Sequence, residues 1–318
     1  MNNEPLVSII IPTYNRAFCL ANAIKSVLDQ TYSNIEIIVV DGPSKDDTET
    51  VINKLGDKKI IYIREEKARG AGAARNTGIK VARGEYIAFQ DSDNVWFPEK
   101  LEKQMDILMS ASQDVGMIYT GYKKICNDVF KGYYPQKNIK HKSGFLLNEL
   151  LVENFIGCQT VVTKKECFNR VGYFDELLPT TEDWELFIRI SGQYKILCIN
   201  QPLVLSYIQS DSISVDLRKM VIAFKLILER HFSEFSKNKR LLAQYYFNNI
   251  ATILCENNEH GEGRAFMVKA MKLNPYNIKY YLVYVISLLG NNSYRLSINV
   301  SKLFKTLKNR AIDKKYFV

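Results

Sequence analysis

From Leu6 onward, short runs of uninterrupted apolar residues alternate with segments whose apolar positions recur every three or four residues. The runs Leu6–Ile11, Ile35–Val40, Lys59–Ile63 and Tyr86–Gln90 are too short for helices and rich in Ile, Val and Tyr, so each predicts a strand. Between the first two, Leu20, Ala23, Ile24 and Val27 share one face of a helix over Cys19–Gln30. Further helices are predicted over Asp46–Leu55, around Ala71–Val81 and from Pro98, where Leu101, Met105 and Leu108 line up. Strands that are apolar throughout need cover on both faces, which predicts an α/β fold with a mostly parallel sheet. Such sheets bind ligands outside the carboxyl ends of their strands. Asp41 closes the second run there, and Asp91 and Asp93 follow the fourth.

Beyond Val115 the pattern loosens. A basic, tyrosine-rich stretch (Lys123–Lys142), a short β run (Cys158–Thr163) and a helix over Lys164–Val171 are expected to complete the first domain and to shape an acceptor site. From about Asp216 the chain reads as helical. Over Gln244–Leu289 it resembles a single tetratricopeptide-type hairpin, with Phe247, Ile250, Ala251, Leu254, Met267, Ala270 and Pro275 at packing positions. The expected domains are therefore 1–215 and 216–318.

Composition is that of an ordinary soluble globular protein, with 47% hydrophobic and 24% charged residues. No secretory leader is evident, and the longest apolar run, Tyr280–Leu289, falls short of the roughly 20 residues a membrane span needs. A cytoplasmic location is expected. Six cysteines without a CxxC pair point to buried thiols, and away from zinc or disulfide frameworks.

The net charge of +9 is concentrated at one end: from Gly263 onward eleven Lys or Arg face one acid, Asp313. Over Ser301–Lys315, Leu303, Phe304, Leu307 and Ala311 fall on one helical face and Lys302, Lys305 and Lys308 on the other. Such a helix can pack on its own domain with a solvated basic face or lie on an anionic membrane surface, here the inner face of the cell membrane, and the second is expected. No nucleic-acid-binding motif accompanies the charge, so nucleic acid is not expected as a partner. The helical C-terminal region also offers a surface for a homodimer.

The Asp91-Ser92-Asp93 triplet supplies hard oxygen ligands suited to Mg²⁺ or Mn²⁺ that completes its coordination with substrate phosphates. Taken alone, it reads more readily as a solvated turn with a helix-capping acid. Glu182 and Asp183, after Thr180 or Thr181 as a helix cap, would suit a first helical turn on electrostatic grounds alone. The segment Gly70–Arg75, "GAGAAR", superficially matches a dinucleotide fingerprint. Arg75 stands where its third glycine belongs, and the loop follows the third strand, so a nicotinamide cofactor is not expected.

Four blocks in register decide between these readings: "VSIIIPTYNR", "IEIIVVDGPSKDDT", "GAGAARNTGIKVARGEYIAFQDSDN" and "TTEDWELFIRI". Over roughly residues 5–210 they resemble family 2 glycosyltransferases, which adopt the GT-A fold. The resemblance implies that Pro12, Thr13 and Tyr14 lie over the nucleotide of a nucleotide-sugar donor and that Asp41 accepts a hydrogen bond from the base, typically uracil. It further implies that Arg75 lies near the base and diphosphate, that Asp91 and Ser92 lie near the ribose, and that Asp93 holds the metal. Asp183 matches the general base of an inverting transfer to a glycan or lipid-linked glycan, with Glu182 in support. The chain has Asp41-Gly42-Pro43-Ser44 where the family commonly has Asp-Asp-Gly-Ser, which leaves the base less firmly indicated. The Gln-x-x-Arg-Trp element of the related processive synthases is absent, which points to non-processive transfer. A non-catalytic sugar-nucleotide or partner-binding protein is the rival reading, and Asp41, Asp93 and Asp183 together argue against it.

Overall fold

The computed structural model describes residues 4–127, 129–136, 139, 142–208 and 216–290. The amphipathic stretch Ser301–Lys315, and the membrane-facing helix expected of it, lie outside the described residues. The chain forms two compact units, Met1–Ser212 and Ile213–Val318.

The first unit opens with strictly alternating elements: β1 (Val7–Thr13), α1 (Ala17–Leu28), β2 (Ile35–Asp41), α2 (Thr48–Leu55), β3 (Ile60–Arg64), α3 (Ala71–Val81) and β4 (Tyr86–Phe89). It continues through β5 (Val95–Trp96), α4 (Lys100–Ser110), β6 (Val115–Cys126), β7 (Val129–Tyr134), α5 (Leu147–Val152), β8 (Val161–Lys164), α6 (Glu166–Val171), α7 (Glu182–Ser191) and β9 (Lys195–Ile208). Among the described residues the strands form one sheet in the order β3-β2-β1-β4-β8-β6-β9-β5, with β7 attached to β6. The first four strands run parallel, as their patterning predicts. Strand β8 then runs antiparallel to both β4 and β6, while β9 pairs parallel with β6. Pro98 lies in the turn before α4, ahead of the first helical turn in which it was expected.

The core explains this arrangement. Both faces of β1 and β2 are buried, and Ile9, Ile11, Ile37 and Val39 pack with Leu20, Ile24 and Val27 of α1 in one apolar cluster. Each such side chain contributes about 1.5–3 kcal/mol on full burial. On the other face α3 presses close. A Cβ on Gly78 would lie 2.5 Å from Ile10 Cγ2, so only glycine permits this contact. At the amino end of β1, the buried Ser8 hydroxyl donates to Glu36 at 2.6 Å, and the Arg83 guanidinium donates to the same carboxylate at 2.8 Å. That network fastens the end of the sheet away from Asp41.

The second unit is helical: α8 (Leu217–Arg230), α9 (Phe232–Ser236), α10 (Lys239–Tyr245), a π turn over Tyr246–Ala251, α11 (Thr252–Glu256), α12 (His260–Leu273) and α13 (Ile278–Leu288). Asp216 caps α8 by accepting from the Arg218 and Lys219 amides. Phe247, Ala251, Met267 and Ala270 form its core with Ala243, Cys255 and Tyr280, and Ile250 and Leu254 are buried as well. Among the described residues no helix is long and apolar enough to cross a membrane.

Candidate active site

Three parallel strands deliver their last residues to one edge of the sheet. Thr13 and Asp41 are register partners at the ends of β1 and β2, and the Gly42 amide donates to the Thr13 carbonyl at 2.9 Å. The Asp41 carboxylate is wholly buried and is held by two hydroxyls, Ser44 at 2.5 Å and Tyr62 at 2.8 Å. Burial, and then the hydrogen bond to Asp41, push the Tyr62 hydroxyl up to about 12, so it stays protonated and donates. Ser44 Oγ also accepts from the Asn15 amide at 2.7 Å, and Asn15 Oδ1 accepts from the Lys45 amide at 2.8 Å. Asn15 does this from a left-handed backbone, φ 52°, which asparagine tolerates better than most residues. The loops after β1 and β2 are thereby stitched together. A carboxylate offers about four acceptor positions, so Asp41 keeps capacity for a further donor. Beside it Tyr14 is exposed, Pro12 is half-buried, and Thr13 Oγ1 is buried with no hydrogen-bond partner among the described residues.

The second cluster centres on Arg75, in the middle of α3. Its guanidinium donates to Glu182 Oε1 at 2.6 Å and to Asp91 Oδ1 at 2.9 Å, and stands 5.5 Å from the centre of the Phe174 ring. Arg75 Nε is buried and unpartnered among the described residues. Burial alone would lower its pKa; Cys158, Glu182, Asp91 and Asp183 act in the opposite sense, and the net shift is upward. Burial also holds the Cys158 thiol in its neutral form, which leaves the three carboxylates to keep Arg75 charged. Gly72 makes room for this contact: a Cβ there would lie 3.2 Å from Glu182 Cγ. The next residue, Asn76, pairs in both directions with the backbone of Phe174, donating to its carbonyl and accepting from its amide, each at 2.9 Å.

Asp91 is gripped on its other side as well. Asn94 Nδ2 donates to Asp91 Oδ2 at 3.0 Å, while Asn94 Oδ1 accepts from the Tyr207 amide of β9. Ser92 and Asp93 occupy the turn between, Ser92 buried and Asp93 half-buried. Among the described residues no three His, Cys, Asp or Glu side chains are grouped so as to hold a metal ion by themselves. Mg²⁺ and Mn²⁺ bound through a substrate diphosphate do not require such a cage, because one or two carboxylates, phosphate oxygens and waters suffice. The hard carboxylate oxygens of the Asp91-Ser92-Asp93 turn fit such an ion.

Asp183 lies in the first turn of α7. Thr181 precedes the helix in a left-handed conformation, φ 59°, and its hydroxyl donates to the Thr180 carbonyl. The expected side-chain cap from a threonine is therefore not made. Asp183 Oδ1 instead accepts from the Trp184 amide at 2.7 Å. Trp184, Phe187 and Ile188 are buried as their spacing predicts, and the Trp184 indole donates to the Leu150 carbonyl at 2.6 Å. Burial, and next the neighbouring Glu182 charge, push the Asp183 carboxyl from an ordinary 3.8 up to about 7, with Arg75 opposing. A carboxylate poised near neutrality is matched to accepting a proton from a hydroxyl. Tyr122, stacked on Tyr134 at 5.0 Å, lies close enough to feel the Asp183 charge.

The structure thus brings Arg75, Asp91, Glu182 and Asp183 into one electrostatic cluster and sets Thr13 and Asp41 side by side on adjacent strands. Asn15, Ser44, Tyr62, Asn94 and Cys158 were not singled out from the sequence. The "DSDN" and "DGPS" strings place Asn94 and Ser44 beside the expected residues, which was the available signal.

A mainly parallel sheet with these carboxylates at its strand ends defines a GT-A-type protein, the class of nucleotide-diphospho-sugar transferases. The fold matches that of a mannosyltransferase from Pyrobaculum calidifontis, solved in complex with GDP-Man and Mn²⁺, with a TM-score of 0.60 at 16% identity over 96% of this chain and 88% of that one. The chain belongs to glycosyl transferase family 2, whose model matches residues 8–165. It is 32% identical over 253 residues to an Escherichia coli protein, the UDP-Glc:alpha-D-GlcNAc-diphosphoundecaprenol beta-1,3-glucosyltransferase WfgD, covering 79% of this chain and 90% of that one. It is also 41% identical over 197 residues to an uncharacterized glycosyltransferase of Rickettsia typhi, where the match spans 60% of this chain and 61% of the relative's length.

Proposed function

We propose that this protein is an inverting, metal-dependent glycosyltransferase that moves a sugar from a nucleotide-diphosphate donor, a UDP-sugar, to a hydroxyl of a lipid-linked glycan at the inner face of the cell membrane. The observation that carries the reading is the Arg75 cluster, which joins Asp91, on the donor side, to Glu182, next to the raised carboxyl of Asp183. The printed activity of the E. coli relative supports the donor and acceptor classes.

In the transfer, Asp183 accepts the proton of the acceptor hydroxyl as its oxygen forms a bond to the anomeric carbon. The bond from that carbon to the diphosphate oxygen breaks, and its electron pair leaves with the nucleotide diphosphate. Attack on the face opposite the leaving group inverts the centre. Glu182 and Arg75 hold the start of α7 in place, so the base is already oriented. Asp41, fixed by Ser44 and Tyr62, accepts from the base, while Thr13 Oγ1 and Arg75 Nε are buried polar atoms that a bound donor would satisfy. Pro12 and Tyr14 flank the nucleotide, and Ser92 is placed with Asp91 for the ribose. Asp93 would hold Mn²⁺ or Mg²⁺, whose chemistry when bound is to neutralise charge gathering on the leaving diphosphate.

The test supplies UDP-Glc, with UDP-GlcNAc in parallel, and a synthetic α-D-GlcNAc-diphospho-lipid, and follows the product by chromatography and NMR. A β-linked disaccharide lipid is expected. A product of retained configuration would overturn the inverting mechanism, and no donor-dependent product with either sugar would overturn these donor and acceptor classes.

A further inference from the structure

Helix α13 carries apolar residues on the wrong side. Its inner face is set by Tyr280 and Ser287, which are buried. At 100° per residue, Ile278, Tyr281, Leu282, Val285, Leu288 and Leu289 fall within a stripe about 120° wide on the opposite face. Each of the six is between 43% and 71% exposed. A helix that is apolar all round belongs in a core or against a second apolar phase, and this one has a core on one side only. Scattered exposed apolar residues need no explanation, whereas a contiguous stripe of six marks an interaction surface.

The surrounding charge selects the partner. From Gly263 to Gly290 the chain carries four cations, Arg264, Lys269, Lys272 and Lys279, and no Asp or Glu. The remaining residues add seven Lys or Arg and one acid. An apolar stripe with a tyrosine at its margin, within a segment of one charge sign, fits an interface that is hydrocarbon at depth and anionic at its surface. A second copy of the same face would set like charges against each other, which disfavours a self-complementary dimer.

We propose that the outer face of α13 docks on an anionic lipid bilayer, with Ile278, Leu282, Val285 and Leu289 in the acyl boundary and the lysines at the headgroups. The proposal rests on the reading of the protein as a transferase of lipid-linked acceptors, and gives that reading a surface.

The test is co-sedimentation of the full chain with vesicles of phosphatidylcholine alone and of phosphatidylcholine with one third phosphatidylglycerol, alongside light scattering for oligomeric state and calorimetry with UDP and Mn²⁺. Expected are binding to the anionic vesicles, at least tenfold weaker binding to the neutral ones, and a further loss of tenfold or more in the double variant Leu282→Glu/Val285→Glu. UDP affinity and the helical circular dichroism signal stay unchanged in that variant, which shows that both units are folded. Undiminished vesicle binding by the double variant would overturn the proposal. So would a wild-type dimer that the double variant converts to monomer, since the stripe would then be a contact between copies. Loss of vesicle binding with UDP binding intact leaves the transferase reading standing, and a chain that binds vesicles but no nucleotide sinks that reading alone.

Discussion

Arg75 Nη1 and Glu182 Oε1 meet at 2.6 Å with both side chains nearly withdrawn from solvent, and the other arm of the same guanidinium holds Asp91. One side chain on α3 therefore couples the turn that follows β4 to the start of α7. Removing one member of a buried ionic cluster leaves the others uncompensated, which costs about 3–5 kcal/mol. Arg75→Ala should lower stability by about 3 kcal/mol in urea titrations, at the low end because Asp91 keeps access to water. Arg75→Lys should recover part of that loss but not nucleotide affinity, because a point charge cannot span both carboxylates. Unchanged stability in Arg75→Ala would show that the cluster does not hold these elements together.

Asp183→Asn should bind UDP and Mn²⁺ with unaltered affinity while transfer falls by about 10²–10⁴-fold, the range for loss of a general base. In the wild type, kcat/KM should rise through about pH 7 as the carboxyl deprotonates. Near-normal turnover in the variant would remove Asp183 from the base role.

The same residue gives a stability signature of fixed sign. Its folded pKa, about 7, lies above its ordinary 3.8, so the folded state holds a proton that the unfolded chain releases. That contribution is complete below about pH 4 and is lost as the pH rises through 7. Asp183→Asn should therefore be more stable than wild type at pH 8, by on the order of 4 kcal/mol, and near equal to it at pH 4. Denaturant midpoints at the two pH values check this, and the opposite order would mean that the carboxyl is not raised by burial.

Asp93→Ala should abolish the dependence of UDP binding on Mn²⁺ while changing stability by less than about 1 kcal/mol, as expected for a half-buried turn residue. EDTA should have the same effect on the wild type. Calorimetry with and without metal separates the outcomes, and metal-dependent binding that persists in the variant would place the ion elsewhere.

Ser44→Ala removes a donor to Asp41 and the acceptor for the Asn15 amide in one step. It should lower stability by about 1–3 kcal/mol, the cost of leaving buried groups unpaired, and weaken UDP binding by about tenfold, equivalent to about 1.4 kcal/mol. Melting curves and nucleotide titrations report the two effects separately.

The strands β1, β2 and β4 were legible because both of their faces are buried, which writes a continuous apolar run into the sequence. Strand β9 was not. It carries Pro202, and its ladder with β6 slips register between Thr120 and Gly121 and again before Lys123, so neither strand keeps one period along its length. The ionisable residues of the candidate site stood out for a related reason: they lie at the ends of regular elements, Asp41 at the close of β2 and Asp183 in the first turn of α7. What holds them was not. Asn15 reaches Ser44 across 29 positions and Asn94 reaches Tyr207 across 113, and no local pattern encodes such pairs.

Asn76 and Arg75 are consecutive on α3, and between them they grip the backbone of Phe174, the carboxylate of Glu182 and that of Asp91. Pulling α3 away from the start of α7 would break the Phe174 and Glu182 contacts together, so these elements form one cooperative unit in the sense of local unfolding. The freedom to admit a new acceptor then falls to segments outside that unit. On the proposed function, such a clamp would let a chain change what it glycosylates while the part assigned to making and breaking bonds keeps its shape.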